Sequence, residues 1–316
     1  MKIGIIGAGA IGGWIAARLA LSGNPVSVLA RGETLEALRG GLSISESGAT
    51  ERAEVRASDD PSALGAQDLL IIAVKAPALA LVIELARQMI GSDTLIVPML
   101  NGVPWWFLDG EPLESVDPDG KVAAALPTDR LIGCVVHAAC RRTSPNAIEV
   151  ALADKLILGE PQGALSERVE RLATLFENAG IRVERSDNVR RAIWYKLWGN
   201  MTMNPVSALT LATADRILGD EELKPFILAC MAEAAAVGAA IGCPIGESGE
   251  DRMAVTARLG AFKTSMLQDV EAGRAIELEA LVGAPREIGR RAGVPTPTID
   301  TLYAMTRLMA ESRGLL

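Results

Sequence analysis

Residues 7–12 read Gly-Ala-Gly-Ala-Ile-Gly. They follow the apolar run Lys2–Ile6 directly and open a segment in which Ile11, Ile15 and Leu19 recur at helical spacing. The first glycine permits a tight turn after a strand, and the second lets a pyrophosphate come up to the backbone. The third lets the helix press against the strand it leaves. The phosphates then rest on a helix N-terminus, where free N–H groups and the helix dipole favour anions. Placed between a strand and a helix, Gly7-Ala8-Gly9-Ala10-Ile11-Gly12 therefore reads as a dinucleotide cradle; elsewhere it would be an ordinary glycine-rich turn.

The rest of the first half keeps this rhythm. Pro25–Ala30 is a second strand. Leu69–Val74 and Thr94–Met99 are apolar runs without polar alternation, as strands covered on both faces require, and Ala78–Met89 is a helix between them. Such alternation builds a doubly wound, Rossmann-type parallel sheet with right-handed crossovers. Strands at Leu131–Ala139, Ala147–Ala151, Lys155–Leu158 and Ile181–Glu184, with a helix at Ser166–Ala179, are expected to complete the domain. After Ser186 the pattern is almost wholly helical, interrupted at Asn204-Pro205, Gly242-Cys243-Pro244 and Pro295-Thr296-Pro297. The fold class is thus α/β: a dinucleotide-binding domain over residues 1–186 and an all-helical domain over 187–316, with Asp187 or Asn188 capping the latter's first helix. A chain of 316 residues suits two domains.

Composition removes several alternatives. Thirty-nine acidic residues against 31 basic ones give a net charge of −8, without the clustered Lys and Arg of a nucleic-acid surface. No uninterrupted apolar run approaches the roughly 18 residues of a membrane-spanning helix. The chain opens into a strand rather than a signal peptide, so a cytoplasmic protein is expected. Four cysteines show no C-x-x-C spacing, and His137 is the single histidine, so no metal site is expected. Catalysis must therefore draw on Lys, Asp, Glu, Ser or Asn.

Ligands of such sheets bind at the carboxyl ends of the strands. At the end of the second strand stands Arg31, with no acid before Glu33. A guanidinium suits a ribose 2′-phosphate and an acid would repel one, so NADP(H) is expected; the alternative has Arg31 solvated and Glu33 turned to the ribose. Lys75 follows the Leu69–Val74 run, and Asn101-Gly102 follows Met99, both placed for cofactor contact. In the helical half, Lys196, Asn200 and Asn204 recur at i, i+4 and i+8 among Trp194, Leu197, Trp198, Met201 and Met203. That spacing lines one cation and two amides along one helix face. Pro205 should kink or break the helix there. Ser265 and Glu277 add a hydroxyl and a carboxylate that composition alone cannot assign.

The ordered set of the glycine turn, Val74-Lys75-Ala76, Asn101-Gly102, Lys196-x-x-x-Asn200-x-x-x-Asn204-Pro205, Ser265-Met266-Leu267-Gln268-Asp269 and Ile276-Glu277 resembles the ketopantoate reductases (2-dehydropantoate 2-reductases) along nearly the whole chain. The resemblance implies NADPH on Gly7, Gly9, Gly12, Arg31, Lys75 and Asn101. It also implies Lys196 as general acid, Asn200, Asn204 and Ser265 as substrate contacts, and Glu277 as the group that positions substrate and lysine. The implied substrate is a small 2-keto acid, first of all 2-dehydropantoate on the way to pantothenate. A dehydrogenase of another 2-hydroxy acid and a non-catalytic NADP-binding protein are the alternatives. The chain departs from the family pattern at Ala214 and at Val282-Gly283. The segment Pro104–Arg130, beginning Trp105-Trp106-Phe107, reads as an insertion packed on the first domain, with a substrate lid as the sharper alternative. The Ala-rich helices offer a surface for a homodimer.

Overall fold

The computed structural model describes residues 1–110 and 112–316. Its elements run β1 (Ile3–Ile6), α1 (Ala10–Leu21), β2 (Val26–Leu29), α2 (Gly32–Leu38), β3 (Leu42–Glu46), β4 (Ala49–Ala53), β5 (Arg56–Ser58), α3 (Pro61–Leu64), β6 (Gln67–Ile72), α4 (Ala76–Arg87) and β7 (Ile90–Pro98). There follow α5 (Lys121–Ala125), β8 (Gly133–Ser144), β9 (Ala147–Gly159), α6 (Glu167–Asn178) and β10 (Val183–Ser186). The remainder is helical: α7 (Val189–Thr210), α8 (Ala214–Leu218), α9 (Lys224–Ala240), α10 (Gly249–Ala257), α11 (Ser265–Glu271), a π turn (Glu279–Gly283), α12 (Ala284–Arg291) and α13 (Pro297–Arg313). Clustering of contacts divides the chain into two compact units, residues 1–100 with 121–192, and residues 101–120 with 193–316.

The first unit is built on a parallel sheet in the order β5-β2-β1-β6-β7. Ile3, Ile5 and the run Leu69–Ile72 are essentially inaccessible to solvent, as continuous apolar strands between covering layers should be. The later strands complete the same unit, but in a second sheet rather than as an extension of the first. β8 and β9 pair antiparallel, and β9 also pairs in parallel with β3 and β10, giving a second, mixed sheet with β4 at its edge. The expected strands Ala147–Ala151 and Lys155–Leu158 are one strand, β9. Helix α1 touches β1 and β2 as well as β3, β4, β8 and β9, so it is apolar all round: Trp14, Ile15, Ala16, Ala17 and Leu19 are all buried.

Of the kink or break expected at Asn204-Pro205, the break does not occur. Helix α7 runs unbroken through Pro205, and Asn188 accepts the Arg191 N–H at 3.0 Å as its cap. Pro205 removes the hydrogen bond to the Met201 carbonyl, but residues 201–208 are all buried, and packing holds the geometry that propensity alone would lose. The Trp194 indole donates to the Ala234 carbonyl at 3.1 Å and that of Trp198 to Met231 at 2.7 Å, docking α7 on α9. On α9, Ile227, Met231 and Val237 are buried, while Phe226 and Leu228 are half-buried.

The boundary read at 186/187 separates strands from helices, whereas by contacts the cut falls after Ala192. Residues 101–120 group with the helices and not with the sheet from which they depart. Trp105, Trp106 and Phe107 are 3, 4 and 1% exposed, and Phe107 stacks on Trp194 with ring centroids 5.8 Å apart. Phe107 is thereby part of the helical unit's core, and all three side chains are buried rather than turned to solvent.

Candidate active site

The register of the parallel sheet sets one part of the site. Ile6 pairs with Leu29 and with Ile72, and Ile72 with Pro98, so the strands end level. Gly7, Arg31 and Lys75 therefore leave the sheet at its carboxyl edge, where open α/β sheets take their ligands. Gly7 has φ +100°, and a Cβ there would stand 2.7 Å from the Ala73 backbone. A Cβ on Gly12 would fall within 1.9 Å of the Gly7 carbonyl oxygen, so the helix can approach the strand only without one. Gly9 is different: nothing lies within 4 Å of its Cβ position, leaving open backbone in front of α1. Gly9 caps α1 without a side-chain hydrogen bond, and the first turn holds no acid. Ala8, Ala10 and Ile11 complete a turn whose free N–H groups and empty approach fit a pyrophosphate.

Arg31 stands at the N-cap of α2, exposed, with no side-chain partner among the described residues, and Glu33 lies in the first turn of the same helix. Lys75 is the half-buried N-cap residue of α4. The candidate cofactor contacts thus separate: Gly7–Gly12, Arg31 and Lys75 belong to the sheet unit, but Asn101 belongs to the helical one.

In the helical unit, Lys196, Asn200 and Asn204 lie on one face of unbroken α7. Lys196 and Asn200 are half-buried, and Asn204 is 4% exposed. Asn204 donates from Nδ2 to the Ser265 hydroxyl at 3.3 Å, and Asn200 donates from Nδ2 to Asn101 Oδ1 at 3.2 Å. Behind this row, the Ser207 and Thr264 hydroxyls bond each other, and Thr264 caps α11 by accepting the Leu267 N–H at 3.2 Å. Ser265, first residue of α11, is thereby held on α7. Glu277, 8% exposed, ends the turn from α11. That turn is braced by Arg274, whose Nε donates to buried Asp269 at 3.0 Å, and by the Ile276 N–H on the Leu315 carbonyl.

One device gave no sequence signal beyond its Asn-Gly pair. Gly102 has φ +81°, and its Cβ position lies 2.4 Å from the Ala280 carbonyl oxygen inside the π turn. The next residue, Val103, donates its N–H to that same carbonyl at 2.8 Å. Only glycine lets residues 101–103 settle there, and Asn101 is delivered to Asn200 as a result.

Thiol and metal chemistry find little support. Burial pushes the thiols of Cys140 and Cys230 up to about 12, so neither is a thiolate at neutral pH. Among the described residues no group of three His, Cys, Asp or Glu side chains could hold a metal ion, and no helix is long and apolar enough to cross a membrane.

A doubly wound sheet ending in this glycine turn, continued in one chain by helices, is an architecture shared by nicotinamide-dependent oxidoreductases. Comparison with known proteins narrows that class. Residues 3–163 match the family model "Ketopantoate reductase PanE/ApbA", and residues 188–310 match "Ketopantoate reductase PanE/ApbA C terminal". The chain is 42% identical over 325 residues to a 2-dehydropantoate 2-reductase of Mesorhizobium japonicum, covering 99% of each. Among solved structures it is similar to a candidate ketopantoate reductase of Ralstonia solanacearum MolK2, 53% identical, TM-score 0.96, covering 100% of this chain and 99% of that one. It is also similar to 2-dehydropantoate 2-reductase of Methylococcus capsulatus, 32% identical, TM-score 0.86, covering 99% and 98%. The chain belongs to the ketopantoate reductase family.

Proposed function

We propose that this protein is a cytoplasmic, NADPH-dependent 2-keto acid reductase whose leading substrate is 2-dehydropantoate, reduced to pantoate for pantothenate synthesis. The observation that carries the reading is the Lys196, Asn200, Asn204 face of unbroken α7, with Asn204 bonded to Ser265. The 2-dehydropantoate 2-reductase of Mesorhizobium japonicum supports the choice of substrate.

A nicotinamide cofactor, when bound, would supply hydride to the C2 carbonyl carbon. As negative charge builds on the carbonyl oxygen, the Lys196 ammonium stabilises it and gives up the proton. Asn200, Asn204 and Ser265 hold the keto acid with amide and hydroxyl hydrogen bonds, which fixes the carbonyl before the chemistry begins. Glu277 positions the substrate and Lys196 by opposite charge. Gly7–Gly12 take the pyrophosphate, Lys75 and Asn101 contact the cofactor, and Arg31 takes the 2′-phosphate of NADPH. The helical residues 187–316 form the substrate domain of this reading. The homodimer belongs to it as well, and sedimentation of the purified protein tests that part.

Oxidation of NADPH over a panel of 2-keto acids tests the whole. Lys196→Ala should lower kcat by about 10²–10⁴-fold with dinucleotide Kd unchanged. Near-normal turnover in that variant removes the general-acid assignment, and a wild-type enzyme silent on every keto acid removes the reductase reading. Arg31→Ala should raise KM for NADPH by about tenfold while KM for NADH stays put. Equal effects on both would return the choice to NAD.

A further inference from the structure

Glu287 lies on α12, whose other charged residues are Arg286, Arg290 and Arg291, and it is only 6% exposed. Its carboxylate accepts the N–H groups of Glu114 at 3.0 Å and Ser115 at 2.8 Å, and the Ser115 hydroxyl as well. Arg291 donates to the same carboxylate at 2.6 Å and to the Pro112 carbonyl at 2.7 Å. Burial alone would raise the Glu287 carboxyl, but the bonds from Ser115 and Glu114, with the nearby Arg291 charge, hold it below the usual carboxylate range. A buried carboxylate with this donor set is fixed in place, because each bond is charge-assisted and losing any leaves charge without a partner.

The helical rod formed by the π turn and α12 therefore grips residues 101–120 twice. At one end the Ala280 carbonyl takes the Val103 N–H beside Gly102, and at the other Glu287 takes residues 114 and 115. The first grip sets Asn101 on Asn200 of α7. The rod also begins two residues after Glu277, whose carbonyl accepts the Leu281 N–H at 3.1 Å.

We propose that Glu287 is a positioning residue of the active site: by clamping residues 112–115 to α12 it keeps the Asn101–Val103 turn seated on the π turn, and so keeps Asn101 on Asn200. The inference rests on the proposed reading of Asn101 and Asn200 as site residues. A shift of a fraction of an ångström in such a row costs turnover, because the substrate is held by groups whose own positions are borrowed from their supports.

Glu287→Gln keeps the size but removes the charge and turns one acceptor into a donor. Hydrogen exchange read by mass spectrometry should show the amides of residues 101–107 exchanging about tenfold faster in the intact variant, with those of α9 unchanged. The kcat/KM for 2-dehydropantoate should fall about tenfold. In an Asn101→Ala background the same substitution should cause no further fall, since its effect passes through Asn101. Ser115→Ala, which removes one hydroxyl only, should move exchange and kcat/KM the same way by a smaller factor, and it serves if Glu287→Gln fails to fold. Unchanged exchange at residues 101–107, or losses from Asn101→Ala and Glu287→Gln that simply multiply, would overturn the proposal. If the wild-type enzyme reduces no keto acid, the functional reading fails, while the exchange experiment still decides whether the clamp exists.

Discussion

Three glycines of one turn carry three different burdens, and two substitutions separate them. Gly9→Ala places its methyl where the protein has nothing within 4 Å, so the folded chain should melt as before. The same methyl occupies the approach of a pyrophosphate, and dinucleotide Kd measured by fluorescence titration should weaken by about tenfold or more. Gly12→Ala instead drives a Cβ to 1.9 Å from the Gly7 oxygen. Overpacking of this kind costs about 1–3 kcal/mol, so that variant should lose Tm along with binding. Equal melting of the two would mean that the turn is not what keeps α1 against β1. The sequence makes the shape of this turn legible because a glycine motif encodes backbone geometry, which is local. It showed Lys196, Asn200 and Asn204 for a similar reason, helical spacing also being local. The partners of the two asparagines, Ser265 and Asn101, lie 61 and 99 residues away, and no local pattern names them.

At the scale of elements, long apolar strands and amphipathic helices were legible, and elements whose shape comes from their neighbours were not. The hairpin β3–β4 was missed because β4, Ala-Thr-Glu-Arg-Ala, is exposed except at Ala53 and offers little hydrophobic alternation to read. The break expected at Pro205 followed from propensity, and burial of the surrounding turns overrode it. Helix α13 shows a cap that no propensity scale contains. Its first N–H groups, those of Thr298 and Ile299, are both accepted by the Glu233 carboxylate from α9, at 2.9 Å each. The acid placed in an otherwise apolar stretch is therefore a cap supplied by another helix, favoured further by the dipole of α13. Glu233→Ala should cost about 1–2 kcal/mol in urea denaturation, with kcat per folded molecule unaffected. An unchanged midpoint would leave those N–H groups satisfied by water.

Across the whole molecule, Glu287 ties distant stretches of chain together, Glu160 braces the start of α6 through Ser166 and Arg168, and both make stability depend on acid. Burial would raise Glu160, but hydrogen bonds from Arg168 and Ser166 outweigh it and hold the carboxyl below its usual range, as the bonds to Glu287 do there. A carboxyl lowered by folding contributes stability that is complete above its unfolded value, about 4.3, and is lost as pH falls through the folded one. Unfolding free energy should therefore decline between about pH 5 and pH 3, and the Glu160→Gln, Glu287→Gln double variant should decline less steeply. Matching slopes would place the acid lability elsewhere. The two-part organisation was visible in the sequence because the change from βα rhythm to helices is abrupt. The reassignment of residues 101–120 was not visible, since nothing in the chain between Leu100 and Lys121 announces which core will receive its aromatics.

That detour makes the boundary a poor place for scissors. A fragment ending at residue 186 carries Trp105, Trp106 and Phe107 but leaves behind Trp194, on which Phe107 stacks, and Glu287 and Arg291, which hold residues 112–115. Expressed by itself it should be sticky and drawn into inclusion bodies, whereas the same fragment with a short Gly-Ser bridge replacing residues 101–120 should stay dispersed and still bind dinucleotide through Gly7–Gly12, more weakly for want of Asn101.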